Sequence, residues 1–265
     1  MSRPPNLCVY CGKAGITKEH HWGAWSAKHV PVNLTHTRHI LRVPQPYDSS
    51  AHDNERNGAL NRQGAIRAQS IKIACKNCNT GWMKKIVDDV IPTLKNMNYG
   101  HWGNPTQDDI VSLARWITLF TMSYEFADRA TACIPFNVRS LFRETKTPSE
   151  HWNIAIGNGE TETWSDVTFH RSMRLAGHIP HEGNRRFQMT AFRFGHLVIL
   201  SHYADFSLGF DFSSAVKEIG LTPIWPNPPP KLTKPIYSHN DESINLIIAQ
   251  MTNVVRLGVD KLNIS

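Results

Sequence analysis

The stretch CVYCGKAGITKEHHWGAW at residues 8–25, together with CKNCN at residues 75–79, decides the fold of the N-terminal part of the chain. Each stretch contains one C-x-x-C pair, and the four cysteines are Cys8, Cys11, Cys75 and Cys78. Four thiolates suit a closed tetrahedral Zn²⁺ site, because each C-x-x-C turn can present two sulfur atoms to one ion. Gly12 permits the tight turn that follows the first pair. The spacing therefore predicts a structural zinc ion held by all four cysteines.

The composition favours a soluble protein of the cytoplasm. Of the 265 residues, 40% are hydrophobic, which is typical of a globular chain. The longest apolar runs, such as LVIL at residues 197–200, are far too short to span a membrane, and the N-terminal MSRPPNLC lacks a secretory signal pattern. In a reducing compartment, paired cysteines indicate a metal site rather than disulfides. The alternative is free thiols or a redox-active pair, although no βαβ pattern lies near the motif to favour redox chemistry.

Positive charge is concentrated in the same part of the chain as the cysteine pairs. The net charge of the whole chain is +7. Residues 1–95 contain 14 Lys and Arg against 6 Asp and Glu, a net charge of +8, whereas the remainder contains 15 against 16, a net charge of −1. A polyanionic partner, most simply a nucleic acid, is consistent with this distribution, and ordinary solvated surface charge is the alternative.

An amphipathic helix is predicted to begin at or just after the second cysteine pair. Its apolar face contains Trp82, Met83, Ile86, Val87 and Val90. Pro92 is expected to kink or end this helix. The last zinc ligand would then lie on its first turn, after a knuckle and a hairpin, which is a treble-clef arrangement. About 60 residues separate the two cysteine pairs, and a long polar loop over about residues 43–67 is expected to span that separation.

Three further helices are expected in the rest of the chain. One begins at Thr106, where Asp109 stands at the position that completes a capping box. A shorter helix is expected over about residues 135–144, and a final amphipathic helix over residues 241–257.

Alternating apolar and polar residues predict a small antiparallel sheet between these helices. Residues 186–194 and 196–203 form a predicted hairpin around a turn at Gly195. Weaker strand patterns lie at residues 164–169 and 173–176. The predicted fold class is therefore α+β.

Two domains are expected from this succession of patterns. The first, at residues 1–100, is the zinc-bound domain, and the second, at residues 101–265, is an α+β domain of helices and a small antiparallel sheet. Target recognition, dimerisation and regulation are the roles open to the second domain.

The order of the N-terminal motifs resembles the HNH endonuclease family. The matching elements are C-x-x-C, then Thr-x-Glu-His at residues 17–20, then C-x-x-C-N-x-x-W-M at residues 75–83, entering a helix. The resemblance is to the subgroup, found in bacteria and their phages, in which a zinc knuckle surrounds a ββα-metal nuclease core. It covers roughly residues 6–92 and leaves the rest of the chain unexplained.

The resemblance implies a hydrolase of phosphodiester bonds in DNA. The four cysteines match the structural zinc ligands, His20 matches the general base, and Glu19 and Asn79 match residues that hold a catalytic Mg²⁺ or Mn²⁺ ion. A histidine can deprotonate water near neutral pH, and a divalent cation with open positions can stabilise charge on the phosphate. Because neighbouring strand residues point to opposite faces, only one of His20 and His21 can be the base, and His21 is the alternative.

Two positions depart from the family pattern. His21, Trp22 and Gly23 follow the first histidine, where the family often has a proline. The asparagine that usually orients the base, a few positions before the second cysteine pair, has no evident counterpart. The nearest polar residues are Gln69, Ser70 and, further away, Asn61. The second hypothesis is therefore a non-catalytic, zinc-stabilised module that binds nucleic acid or protein through a degenerate HNH site.

Basic residues around the motif are candidate contacts with a nucleic acid backbone. They are Arg38, Arg42, Arg56, Arg62, Arg67, Lys84 and Lys85. The expected partner is DNA, with RNA as an alternative, and a homodimer is compatible with the sequence. By resemblance, the protein is expected in the cytoplasm of a prokaryotic cell or of a phage-infected host.

Overall fold

The computed structural model of the chain describes residues 6–20, 25–26, 70–127, 132–160, 168–175, 185–207, 209 and 211–262. Helices and mainly antiparallel strands alternate along these residues, as expected for the α+β class. Within the described ranges, every helix is too short or too polar to cross a membrane.

The N-terminal part forms a hairpin that leads into a helix. Strands β1 (Ile16–His20) and β2 (Ser70–Cys75) pair antiparallel, with a bulge between Thr17 and Lys18. A single helical turn, α1 (Lys76–Cys78), and a π-helical turn over Asn79–Met83 connect β2 to α2 (Lys84–Asn98). The predicted amphipathic helix is therefore present, but Pro92 does not end it, and α2 continues for six further residues.

Helix α3 (Gln107–Tyr124) begins at the predicted capping box. The hydroxyl of Thr106 accepts a hydrogen bond from the backbone N–H of Asp109 at 3.2 Å, and the Asp109 carboxylate accepts one from the backbone N–H of Thr106 at 2.8 Å. These bonds satisfy two amides that the helix itself leaves unpaired. A shorter helix, α4 (Phe136–Thr145), follows close to its predicted bounds and ends at Lys146, which has a φ of 57°.

The C-terminal half is built on one six-stranded sheet. Its strands are β3 (Trp152–Gly159), β4 (Thr168–Leu175), β5 (Arg185–Phe194), β6 (Leu197–Ala204), β7 (Thr222–Trp225) and β8 (Ser238–His239). The first five lie in the order β4-β5-β6-β3-β7 and pair antiparallel, whereas β8 runs parallel to β3. The predicted hairpin is β5–β6. A single strand, β4, takes up the region of the two weaker strand patterns, of which residues 164–167 and 176 lie outside the described residues.

Helix α3 covers one face of the sheet, and two later helices cover the other. Phe192 of β5 stacks on Phe120 of α3, with ring centroids 4.3 Å apart. On the opposite face, the side chains of β5 and β6 pack with α5 (Phe212–Glu218) and α6 (Asp241–Leu262). Since α2 packs against α3 from the side of the N-terminal hairpin, α3 lies between the cysteine motifs and the sheet.

The buried cluster around α3 runs across the predicted domain boundary. It includes Cys8 near the N-terminus, Leu94 of α2, Trp116 of α3 and Phe192 of β5. Packing of this kind fixes the cysteine motifs against the sheet-bearing half of the chain. The division into domains near residue 100 stays a prediction.

The buried His202 predicts a specific dependence of stability on pH. His202 is 1% exposed on β6 and stacks on Phe212, and burial lowers its pKa to about 3. Below its ordinary pKa of about 6.5, the histidine takes up a proton in the unfolded chain but not in the folded one, so the folded state loses stability as the pH falls. Between neutral pH and about pH 5, the free energy of unfolding should fall by about 2 kcal/mol less in His202→Gln than in the unsubstituted protein. Denaturant unfolding at the two pH values measures this difference.

The matched control is His151→Gln, which changes an exposed histidine. It should leave the pH dependence of the unfolding free energy as in the unsubstituted protein. Equal pH dependence in His202→Gln and in the unsubstituted protein would contradict the assignment.

Candidate metal centre and adjacent cleft

The four predicted zinc ligands converge at one point. The Sγ atoms of Cys8, Cys11, Cys75 and Cys78 all lie within 4.8 Å of one another, and those of Cys11 and Cys75 are 3.6 Å apart. Zn–S bonds of about 2.3 Å place tetrahedral sulfur ligands about 3.8 Å apart, so the donor set and its spacing fit a zinc ion. The cluster could therefore hold a metal ion such as zinc.

The first cysteine pair lies on a tight turn. The backbone N–H of Cys8 donates to the carbonyl of Lys13 at 2.8 Å, and that of Gly12 donates to the carbonyl of Cys8 at 2.9 Å. Gly12 has a φ of +71°, a conformation that strains any residue with a side chain. These two bonds bend the backbone so that both sulfur atoms of the pair face the same side.

The second cysteine pair lies on the junction between β2 and the helical run. Cys75 ends β2 and Cys78 ends α1, so only two residues separate one ligand from the next. The backbone N–H of Val9, between the first two cysteines, donates to the carbonyl of Ile73 at 2.9 Å. Ile73 is the residue that the β1–β2 pairing skips at the bulge. The bulge thus leaves the carbonyl of Ile73 free to accept the hydrogen bond from Val9, which connects the first cysteine turn to the second.

Tyr10 connects the first cysteine turn to the helices. Its side chain is fully buried, and its hydroxyl lies 2.8 Å from the hydroxyl of Ser123 near the end of α3. The ring also meets Trp82 edge to face, with centroids 5.2 Å apart. Tyr10, a variable position within C-x-x-C, is therefore a packing residue that sequence patterns did not identify.

A buried ion pair provides a second connection. Arg139 of α4 donates from Nε to the carbonyl of Val9 at 3.0 Å and from Nη1 to the Glu125 carboxylate at 3.0 Å. The other carboxylate oxygen of Glu125 accepts from the backbone N–H groups of Cys133 and Ile134 at 3.0 and 3.2 Å. Burial raises the pKa of Glu125 to about 7, although the Arg139 charge opposes that rise. The pair holds the cysteine turn against α3 and α4.

A cleft of about 400 Å³ lies beside the cysteine cluster, between β1 and the helical run. The described residues that line it are Lys18, Glu19, Trp25, Asn79, Thr80, Met83, Lys84, Val87, Asp88 and Ile91. Three of these were predicted from the sequence as site residues: Glu19 and Asn79 as metal ligands, and Lys84 as a contact with the nucleic acid backbone. The other carboxylate, Asp88, was not, although Thr80, Lys84 and Asp88 follow one another at the four-residue spacing that aligns side chains on a helix.

Asn79 is oriented by the strand opposite it. Its amide nitrogen donates to the Thr17 hydroxyl at 3.2 Å and to the carbonyl of Lys18 at 3.1 Å. The Thr17 hydroxyl in turn donates to the carbonyl of Ala74 at 3.1 Å. Because the amide nitrogen faces the strand, the amide oxygen is the atom of Asn79 that is directed away from it and can act as an acceptor or a ligand.

Two carboxylates in the cleft have different surroundings. Glu19 is half-buried, and burial alone raises the pKa of its carboxyl to about 7. A carboxyl with such a raised pKa within a cleft is a common feature of functional sites. Asp88 is exposed and forms an ion pair with Lys84, four residues before it on α2.

The remaining predicted site residues are only partly described. His20 ends β1 opposite Ser70, one of the candidates for the middle polar residue, but its side chain lies outside the described part of the chain. Lys85 is exposed on α2 and pairs with Asp89. Outside the described residues lie His21, Asn61, Gln69 and the candidate backbone contacts Arg38, Arg42, Arg56, Arg62 and Arg67.

No protein family, curated protein or solved structure that was compared matches this chain.

The cysteine cluster predicts a metal stoichiometry. The purified chain should contain about one zinc ion, and Cys75→Ser should lose it because three thiolates remain. Cys133→Ser is the matched control, since Cys133 is also buried but lies outside the cluster, with its Sγ 3.3 Å from the carbonyl of Phe187. Elemental analysis measures the outcome, and equal zinc content in the two variants would contradict the site.

The Arg139–Glu125 pair predicts a large effect on stability. Arg139→Met should lower the free energy of unfolding by about 3–5 kcal/mol, because it leaves a buried carboxylate without its cation. Arg143→Met, one turn further along α4, should change it by about 0.5 kcal/mol or less. Denaturant unfolding measures the free energy of unfolding of both variants. Equal values for Arg139→Met and Arg143→Met would contradict a stabilising role of the buried pair.

Proposed function

We propose that this protein is a metal-dependent endonuclease of the HNH type that hydrolyses phosphodiester bonds in DNA. The observation that carries the proposal is the placement of Glu19 and Asn79 in one cleft directly beside a four-cysteine cluster. One C-x-x-C turn precedes a hairpin and a second joins that hairpin to a helix, and this order supports a treble-clef, ββα-metal arrangement of the N-terminal part. The resemblance of the motifs at residues 17–20 and 75–83 supplies the family.

In this proposal the zinc ion is structural. All four of its ligands are cysteines, so no coordination position would be left open for water or substrate. Its role is to hold the end of β1, which carries Glu19 and His20, against the helical turn that carries Asn79. The hydrogen bonds of Asn79 to Thr17 and to the carbonyl of Lys18 support the same alignment.

A second divalent cation, Mg²⁺ or Mn²⁺, is proposed for the cleft. The Glu19 carboxylate and the Asn79 amide oxygen are hard oxygen donors, which suit these ions, and the Asp88 carboxylate is a third donor along the same cleft. When bound, such an ion supplies positive charge to the phosphate oxygens and to the leaving oxygen. Lys18 and Lys84 line the cleft and can bind the flanking phosphates of the substrate strand.

His20 is proposed as the general base that removes a proton from the attacking water. Lys18 and Glu19, which are neighbours on β1, both line the cleft, so strand alternation does not decide between His20 and His21. The family resemblance favours His20. Ser70, which pairs with His20 across the hairpin, is the residue best placed to replace the missing asparagine.

DNA is the proposed substrate because the N-terminal segment carries all of the excess positive charge, +8 within residues 1–95. RNA is the alternative nucleic acid. The sheet-bearing half is proposed to contribute target recognition, dimerisation or regulation.

A second candidate function is a zinc-stabilised module that binds nucleic acid without cleaving it. The Lys84–Asp88 ion pair favours this candidate, because an ammonium group already neutralises one carboxylate of the cleft. The absence of an asparagine counterpart for orienting the base also favours it.

A nuclease assay on plasmid and single-stranded DNA, with Mg²⁺ or Mn²⁺, tests the proposal. The unsubstituted protein should cut, and His20→Ala should reduce the rate by at least about 100-fold, because a positioned general base contributes a factor of this size. Glu19→Gln should raise the metal concentration needed for cutting. His21→Ala is the matched control, and it should cut nearly as fast as the unsubstituted protein.

The outcomes separate the two candidate functions. If His20→Ala cuts as fast as the unsubstituted protein while His21→Ala does not, the base is His21. If the unsubstituted protein retards both DNA forms in a gel but leaves them intact, the binding module is the correct function. Failure both to bind and to cut rules out both candidates.

A further inference from the structure

A second, smaller cavity lies on another face of α2. Its volume is about 110 Å³. It is lined by residues of the π-helical turn and α2, of α3 and of the C-terminal end of α4. The polar, charged and aromatic ones are Trp82, Lys85, Asp89, Ser112, Arg115 and Lys146. We call this cavity the basic pocket. None of its lining residues lines the cleft proposed for catalysis.

The basic pocket has more positive than negative charge. Three of its side chains are cations and one, Asp89, is a carboxylate that already pairs with Lys85 at 3.1 Å. The other two cations of the lining are Arg115 and Lys146, and Lys146 also interacts electrostatically with Glu144 and with the Cys78 thiolate. A hydroxyl group, from Ser112, completes a lining rich in hydrogen-bond donors.

Arg115 is a half-buried cation of α3 that lines the pocket. Its Nε atom is buried and has no hydrogen-bond partner among the described residues. An N–H group without a partner is costly, and native structures usually satisfy such groups with protein, water or an ion. The guanidinium group has a fork of donors that matches the oxygen atoms of phosphate.

Lys146 lines the same pocket, and its ammonium group donates to the backbone carbonyls of Arg143 and Glu144. Its backbone is in the left-handed region, at a φ of 57°, and its Nζ lies 5.4 Å from the centre of the Trp82 ring. Burial lowers the pKa of Lys146, and the nearby Arg143 charge lowers it further. Both effects penalise the charged ammonium, and a bound anion would offset both.

The size of the pocket limits the ligand. A cavity of roughly 150 Å³ accommodates benzene, so 110 Å³ admits a phosphate group but not a purine base. An anion here would lie across α2 from the cleft, at a separation of about one helix width, or 10–12 Å.

We propose that the basic pocket binds one backbone phosphate of the nucleic acid whose neighbouring phosphodiester lies in the cleft, with Arg115 as the principal contact. The inference rests on the proposed function for the nucleic acid, but its chemistry, recognition of phosphate oxygens by Arg115 and Lys146, is independent of cleavage. The bound phosphate would fix the register of the strand over α2.

Binding without divalent metal tests the inference, because cleavage is then absent. Fluorescence anisotropy with a labelled DNA duplex, over a series of salt concentrations, should show that Arg115→Gln weakens binding by about tenfold and lowers the salt slope by about 0.9, the effect of one lost phosphate contact. Arg143→Gln is the matched control: it removes the same charge near the pocket but not from its lining, and should change binding less than about twofold. Equal effects of the two substitutions would overturn the proposal.

Two further arms identify the ligand and control for folding. Arg115→Lys keeps the charge but not the fork of donors and should restore part of the affinity and the salt slope, whereas a merely structural role of Arg115 would leave Arg115→Lys as weak as Arg115→Gln. Inorganic phosphate should raise the melting temperature of the unsubstituted protein but not of Arg115→Gln. If phosphate stabilises the protein in this Arg115-dependent way while Arg115→Gln leaves the affinity for the duplex unchanged, the pocket binds a free phosphate compound. The nucleic-acid assignment is then wrong.

The same variants keep this inference separate from the nuclease proposal. Arg115-dependent DNA binding by a protein that cuts nothing would support the basic pocket and contradict the nuclease. Cutting by a protein whose DNA affinity is unchanged in Arg115→Gln would support the nuclease and contradict the pocket.

Discussion

The convergence of four sulfur atoms is the constraint on which the N-terminal architecture depends. Cys11 and Cys75 are 64 residues apart in the chain, yet their Sγ atoms lie 3.6 Å apart. Closing so long a segment costs conformational entropy, and a metal ion that binds only the closed form repays that cost. The bulge at Ile73, the left-handed Gly12 and the short turn from Cys75 to Cys78 all serve this closure. The cleft exists because the closure brings the end of β1 beside the first helical turns.

The cysteine cluster is also bound to the rest of the molecule through the residues between its ligands. Tyr10 inserts between Trp82 and the end of α3, while the carbonyl of Val9 accepts a hydrogen bond from Arg139. These contacts belong to the sheet-bearing half of the chain as much as to the N-terminal part. A change in the packing around α3 is therefore transmitted to the cysteine turn, and from there to the strand that carries Glu19.

Local patterns could be predicted from the sequence, and, apart from the convergence of the two cysteine pairs, long-range partners could not. The paired cysteines, the capping box at Thr106 and the strands around Gly195 depend on neighbours in sequence, and the structure has all three. Strands β3 and β7 were missed as elements, because β3 lies between β6 and β7 in the sheet and both strands are defined by partners far away in the sequence. The roles of Glu125 and Arg139 have no sequence signature, since an ion pair across 14 residues depends on where two helices meet.

X-ray absorption at the zinc edge of the purified protein tests directly whether all four cysteines bind one zinc ion. If all four cysteines bind one ion, the spectrum should show a single zinc environment with four sulfur neighbours at about 2.3 Å and no directly bound nitrogen or oxygen. A spectrum with fewer than four sulfur neighbours, or a protein that refolds with full structure after complete removal of the metal, would contradict it.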